Sequence, residues 1–578
     1  MDLTNSRGNI TVTGLPQLLS GFVNTVAVIY YTQPRRHFRN YTFGGYVQDD
    51  YKILPRLTLN LGLRYEFATE IKDPRAANLN DHVDLTCNYP CFPIGQNYKA
   101  PYYHNFSPRL GFAWDVFGNG KTSLRGGGAL LYDVQTLGAL LQGIIQQPPL
   151  ATAFNLGVTS IATLPISLAN VAAGSSLNAP NTGGGIAYNI KAPRMYTWNL
   201  TVGQQLPFNT ALEVSYVGSR GIHLIMSADA NPVLYTTQNG QPFWPTFSPA
   251  ANVPRLINNT WGLSTTYPNG GNSYYHSLEV SVTKRVSHGL QFQSEYTYSK
   301  LLDNADGNAP SQSGSTINMP VTILDLRLDR ALASFDVRNN YRFNTIYNLP
   351  TFSPSNSFVK GLVNGWWTAI ILSAENGYPF TPSVSGNQSR SEGGGAFSNG
   401  DRPDWAPGRN PHNATHGGSS GCTVGSGTSA FTIPAGTSLG GPSLFFDPCA
   451  FLLEPPGYEG NVGRNSLIGP GLLNLDYSLV KDTSVKWLGE AGKVEFRAEF
   501  FNIMNHPNFA QPVRTVFSGL SGAALQSSTI CPITGCSLAV SGNPSSTTGI
   551  IQTTATGTTA TQSSGNSRQI QFGLKIVF

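Results

Sequence analysis

Apolar and polar residues alternate one by one along many stretches of this chain. In the last of them, RQIQFGLKIVF at Arg568 to Phe578, residues Ile570, Phe572, Leu574, Ile576 and Phe578 share one parity, and Gln569, Gln571, Gly573 and Lys575 share the other. A period of two is that of a strand, whose successive side chains point to opposite faces. The same alternation sets Leu57, Leu59, Leu61, Leu63 and Tyr65 against Thr58, Asn60, Gly62, Arg64 and Glu66. Each such strand has one oily and one wet face.

These strands come in hairpins. Tyr41 to Ile53 turns through Leu54 to Arg56 into the Leu57 strand. Pro108 to Val116 turns through FGNGK into Thr122 to Tyr132. Tyr196 to Val202 turns at LPFN into Leu212 to Tyr216, and Leu278 to Val282 turns at VSHG into Leu290 to Tyr298. Phe335 to Leu349 with Gly361 to Ala374, and Leu473 to Thr483 with Lys493 to Asn502, complete the series. Six hairpins and the terminal strand predict thirteen strands.

Turns within hairpins are short, whereas long segments separate the hairpins: Ile71 to Tyr103, Asp133 to Ala192, Leu224 to Asn272, Asp303 to Leu332, Glu375 to Gly471 and Asn505 to Ser564. Loops beyond roughly 12 to 15 residues are uncommon in compact soluble domains. Short periplasmic turns alternating with long extracellular loops are the asymmetry of an outer-membrane barrel, whose strands are apolar toward lipid and polar toward the lumen. In KVEFRAEFF a one-residue slip would turn Lys493, Glu495, Arg497 and Glu499 toward lipid, at about 2 to 4 kcal/mol for each Lys or Arg near the midplane. The expected fold is therefore all-β: a large antiparallel transmembrane barrel with long extracellular loops.

Composition agrees. Gly 62, Tyr 25 and Phe 30 are high, Met 5 is low, and charged residues make up 12%, which favours strands and turns. No apolar run approaches the roughly 18 residues of a membrane helix; the best is WWTAIILSA at Trp366 to Ala374. The net charge of +5 is dispersed, so no nucleic-acid partner is expected. Met1 to Gly14 lacks a secretory signal pattern, which leaves either a cytosolic chain or a missing beginning. From Met1 to Pro34 only LPQLLSGFV, a short helix candidate, and TVAVIYY, a strand candidate without an evident partner, stand out. The six cysteines fall in three local pairs, Cys87 with Cys91, Cys422 with Cys449 and Cys531 with Cys536. Local pairs in Gly- and Ser-rich loops read as small disulfides made in an oxidising compartment. A zinc site is the alternative, although the close Cys and His spacings that zinc needs are lacking.

The segments FGGYVQDDYKILPRLTLNLGLRYE (Phe43 to Glu66), FSPRLGFAWDVFGNGKTSLRGG (Phe106 to Gly127), EVSYVGSRGIHL (Glu213 to Leu224), EYTYSKLLDNADG (Glu295 to Gly307) and EFFNIMNHPNFAQP (Glu499 to Pro512) resemble the barrel of TonB-dependent outer-membrane transporters, in particular their Oar-like branch. The resemblance runs from about Leu15 to Phe578. It implies a barrel of about 22 strands behind a periplasmic plug, so about 13 to 14 strands of that number would be present. Residues 1–40 would be a partial extracellular loop or strand region, and residues 41–578 the C-terminal part of the barrel, with plug and N-terminal region missing. It further implies that the C-terminal Phe572, Leu574, Ile576 and Phe578 address the barrel-assembly machinery, that the TonB complex is a partner only in a full-length form carrying a plug, and that the location is the bacterial outer membrane, among its lipids.

Chemistry-bearing motifs are sparse. DNADGN at Asp303 to Asn308 has oxygens for calcium but lacks the closing Glu of an EF-hand loop, and reads as a turn. GGG at Gly126 to Gly128 and at Gly393 to Gly395 does not lie between a strand and a helix, so phosphate cradling is not expected. His82, His104, His412 and His416 lie in loops; the last two have helical spacing, but Pro411 and GGSSG speak against a helix. No G-x-S-x-G, H-E-x-x-H or paired-carboxylate motif points to an enzyme, and neither metal nor cofactor is expected. Tyr65, Trp114, Trp198, Tyr216, Tyr298, Trp366 and Trp367 read as interfacial girdle residues. Trp244, Trp261, Tyr267, Tyr274, Tyr275 and Trp405 lie in or beside loops, where self-packing outweighs ligand stacking.

The resemblance to TonB-dependent transporters implies energised uptake of a scarce, bulky extracellular ligand of the siderophore, glycan or peptide class. Arg64, Glu66, Arg109, Arg125, Glu213, Glu279, Glu295, Arg497 and Glu499 would line the lumen. A passive pore or surface adhesin is the alternative, and a secreted soluble β protein a third reading. With an odd number of strands, an exposed or mispaired edge with unmet backbone groups is expected at Arg568 to Phe578.

Overall fold

The computed structural model describes residues 39–69, 84–88, 103–133, 187–245, 254–305, 320–391, 401–519, 543–554 and 567–578, save 188, 263, 486, 488 and 490–491, together with the separate strands Asn9–Thr11, Thr25–Tyr31, Ala151–Leu156 and Gly183–Ile186.

Thirteen strands form one antiparallel path: β1 Thr42–Leu54, β2 Leu57–Ala68, β3 Phe106–Asp115, β4 Thr122–Tyr132, β5 Arg194–Leu206, β6 Thr210–Leu224, β7 Gly271–Ser287, β8 Leu290–Asp303, β9 Asn339–Asn348, β10 Trp366–Glu375, β11 Leu472–Ser484, β12 Lys493–Phe501 and β13 Gln569–Val577. Each pairs with its neighbours in sequence order, which is the pattern of an up-and-down barrel wall. A two-residue strand, Ala331–Leu332, adds to the end of β8. These are the thirteen strands expected from the alternation. Among the described residues β1 pairs only with β2 and β13 only with β12, so the sheet is open at both. Because the path is antiparallel and odd, β1 and β13 run in the same direction.

Local chemistry sets the turns. Between β7 and β8, His288 and Gly289 have φ of 54° and 78°, the two positive angles of the hairpin turn that matches strand twist. A Cβ on Gly289 would lie 2.7 Å from the carbonyl oxygen of Asn348, so glycine also admits the next strand.

Four expectations are corrected. The β9–β10 connection, 349–365, is not a short turn. It contains α1, Ser357–Val363, because the Asn356 side chain accepts hydrogen bonds from the backbone N–H groups of Phe358 and Val359 and starts a helix. Phe335 precedes β9 rather than opening it. His412 and His416 do belong to a helical turn, α2 Pro411–Thr415: Asn410 caps it, Pro411 occupies its first turn, where a missing N–H costs nothing, and His416 closes it with its ring stacked on His412 at 4.8 Å. Thr25–Tyr31 does find partners, pairing with Asn9–Thr11 and Ala151–Leu156 apart from the main sheet. Leu15 to Val23, His82, Cys91, Gly393 to Gly395, Cys531 and Cys536 lie outside the described residues.

The sheet carries its oily side uncovered. Leu110 is 60% exposed and Phe572 68%, whereas the buried apolar cores lie in the loops.

Candidate channel face and loop cap

Residues directly opposite in a ladder share a face, so the pairing registers decide where each charge stands. One row runs Ala113, Arg125, Thr201, Ser215, Glu279, Thr297, Asn340, Glu375 across eight strands. The adjacent row runs Ser123, Gly203, Glu213, Ser281, Glu295, Arg342, Ser373, Asn474. Arg109 opposes Gly62, two residues before Arg64 and four before Glu66, while Glu499 opposes Ser478 and Arg497 opposes Val480. All nine charged residues singled out in the sequence therefore stand on one face. The other face reads Leu57, Trp114, Leu124, Val202, Val214, Val280, Tyr296, Tyr341, Ala374, Leu473 across the same width.

Several polar-face side chains pair with one another. Arg64 donates to Glu66 at 2.6 Å, Glu295 accepts from Gln293 at 2.5 Å, Thr201 and Ser215 meet at 2.9 Å, and Arg497 lies 3.7 Å from Glu499 and also pairs with Glu495. Glu495 stands on the same face, as the alternation of KVEFRAEFF predicts, while Arg342, paired with Glu375, and Asp476 belong to it and were not singled out from sequence. Extending the parity of their own strands would have found them. Trp367 corrects the girdle reading: it opposes Val480 in the Arg497 row, with the guanidinium 5.9 Å from its ring centre. Adjacent residues point to opposite faces, so only Trp366 of the pair can meet lipid.

Above the loop end of the sheet, segments 376–391, 401–471 and 505–519 pack into a cap. Its core is Phe380, Val384, Phe446, Phe451, Leu467 and Phe517 with small neighbours. Short pairings stitch it: Ser383–Ser385 with Thr515–Ser518, Pro379–Phe380 with Leu467–Ile468, and Asp404–Trp405 with Phe451–Leu452. Trp405 stacks on Phe451 at 4.9 Å, while Trp244 and Trp261 are buried and donate to the carbonyls of Val233 and Cys87. A disulfide joins Cys422 to Cys449, with Cα atoms 5.5 Å apart. Cys87 is also disulfide-bonded.

Buried ion pairs clamp the cap to the sheet. Arg464 pairs with Asp303 at the end of β8, and Arg402 lies 2.8 Å from Glu459 and 3.4 Å from Asp329. Asp303 and Asn304 are thus engaged with protein partners, Asn304 accepting from the Asn272 N–H at 2.7 Å. Glu454 differs. It is 1% exposed, neither carboxyl oxygen has a hydrogen-bond partner, and burial pushes its pKa up to about 10, reinforced by Asp401 and Glu459. Burial also raises Asp401, to about 6, against hydrogen bonds from Ser389. Glu459 is raised by burial against the pull of Arg402. Among the described residues no three His, Cys, Asp or Glu side chains are grouped to hold a metal ion.

Solved structures similar to this chain include the outer membrane transporter YddB from Escherichia coli, at 12% identity, 86% of this chain, 49% of that one and a TM-score of 0.40. Others are the siderophore receptor PiuA from Acinetobacter baumannii, at 10%, 84%, 40% and 0.37, and the pyoverdine receptor FpvA from Pseudomonas aeruginosa, at 9%, 81%, 39% and 0.35. The chain spans half or less of the length of each. No curated protein was found to match it. The outer membrane beta barrel domain family matches residues 2–571, nearly the whole chain, and this protein of the bacterial outer membrane belongs to that family.

Proposed function

We propose that residues 41–578 are the C-terminal part of a TonB-dependent receptor barrel, whose charged face lines a channel and whose cap takes a bulky extracellular ligand first. The observation that carries this reading is the single face shared by Arg64, Glu66, Arg109, Arg125, Glu213, Glu279, Glu295, Arg497 and Glu499 opposite an uncovered apolar one. Lipid on one side and water on the other is the environment such a sheet requires. The transporter-like segments from Phe43 to Pro512 supply the TonB-dependent part of the reading and its substrate class of siderophore, glycan or peptide. Phe572, Leu574, Ile576 and Phe578 serve the barrel-assembly machinery.

Uptake of labelled siderophore, glycan and peptide pools by cells making the full-length form that carries a plug tests this. Accumulation of one class that stops when TonB is deleted is expected. Entry of small solutes irrespective of TonB would contradict it and favour a passive pore.

A further inference from the structure

We propose that the turn end of the apolar face binds the headgroups of anionic phospholipids in the periplasmic leaflet. At that end two lysines break the oily face; a third on the same parity, Lys300, stands at the opposite, loop end. Lys284 opposes Phe292, and Lys481 opposes Trp366 and Phe496, all positions of the lipid-side parity. A lysine there reaches water by lying its stem along apolar surface and lifting its ammonium to the interface.

Both sit beside an aromatic residue of the neighbouring turn or strand. The Lys284 Nζ lies 5.9 Å from the ring centre of Phe208 and the Lys481 Nζ 5.9 Å from that of Trp366. Each donates only to neutral oxygens: Lys284 to the Phe208 carbonyl at 2.6 Å and Ser287 Oγ at 3.1 Å, Lys481 to the Asp482 carbonyl at 3.0 Å and Thr483 Oγ1 at 3.2 Å. Neither takes part in an ion pair between described residues, unlike Lys493 on the polar face, which meets Asp482 and Glu495. Among the described residues no carboxylate meets either ammonium.

Between them lies α1, which presents Phe358 at 80% exposure and Leu362 at 59%, with Lys360 exposed as well. The Trp366 indole N–H donates to the Leu362 carbonyl at 2.8 Å, fixing this short helix against β10. Apolar side chains dipping below the headgroups with basic ones among them are what an interfacial helix uses to hold a lipid surface. The occupants this stripe fits are phospholipids side by side, with acyl chains to meet Phe358, Leu362 and the sheet, and phosphates to meet Lys284 on β7 and, four strands away, Lys481 on β11. A soluble anion would use the charge but not the oily surface.

The test is lipid retention by the full chain in detergent, read by native mass spectrometry after titration with dioleoylphosphatidylglycerol or dioleoylphosphatidylcholine. Phosphatidylglycerol is expected to be retained preferentially. Lys284→Gln and Lys481→Gln should each weaken its binding about fivefold, and Lys575→Gln, on the polar face, should leave it unchanged. Equal retention of the two lipids, undiminished phosphatidylglycerol binding by the double variant Lys284→Gln/Lys481→Gln, or displacement by millimolar inorganic phosphate would overturn the proposal. The intact mass and far-ultraviolet spectrum of each variant show that lost retention is not lost folding.

Discussion

Glu454 is a carboxyl group buried inside the cap. In the unfolded chain it ionises near the ordinary value of 4.5, whereas folded it keeps its proton to about 10. The folded cap therefore binds more protons between those limits, and the stability this proton contributes is complete at low pH, declines as pH rises and is lost above about 10. Asp401 and Glu459, both raised, act in the same sense. Cap unfolding, followed by tryptophan fluorescence, is expected at lower temperature at pH 9 than at pH 5, and Glu454→Gln should flatten that dependence. A cap more stable at pH 9 would contradict it. Gly218 poses a steric question instead: a Cβ there would lie 2.4 to 2.6 Å from the Trp198 indole, which covers the bare backbone across the strand pair. Gly218→Val is expected to cost about 1–3 kcal/mol through displacement of that ring, seen as a lower unfolding temperature in detergent.

At the scale of the element, face is what matters. Val280→Lys places a charge in the lipid-side row and should cost about 2–4 kcal/mol in folding into vesicles, while Ser281→Lys, one residue on, should be tolerated; equal effects would show that β7 does not divide lipid from water. The Cys422–Cys449 bridge closes a separation of 27 residues and is worth about 2–4 kcal/mol to the cap. Reductant should lower the cap's unfolding temperature and leave the strand signal intact. The strands were legible because period two is local and survives in isolation, as in Leu57 to Glu66. Helix α2 escapes a reading in which Pro411 breaks helices, because at the first turn proline has no helical bond to lose. The cap core was not legible at all, since Phe380 meets Phe446 and Trp405 meets Phe451 across 46 or more residues without periodic pattern.

For the whole molecule, a wide sheet with one uncovered apolar face has only one stable setting. In water that face would be an aggregation surface far beyond what monomeric proteins expose; in a bilayer it needs no cover. The polar face, which carries pairs such as Arg64 with Glu66, then faces water, and the cap stands over its loop end. The most direct test places a spin label, one site at a time, from Glu279 to Val282 on β7 in the protein reconstituted in vesicles. Labels at 280 and 282 should collide with lipid-soluble oxygen, and those at 279 and 281 with a water-soluble nickel chelate. Uniform access of the chelate, or the opposite alternation, would contradict the account.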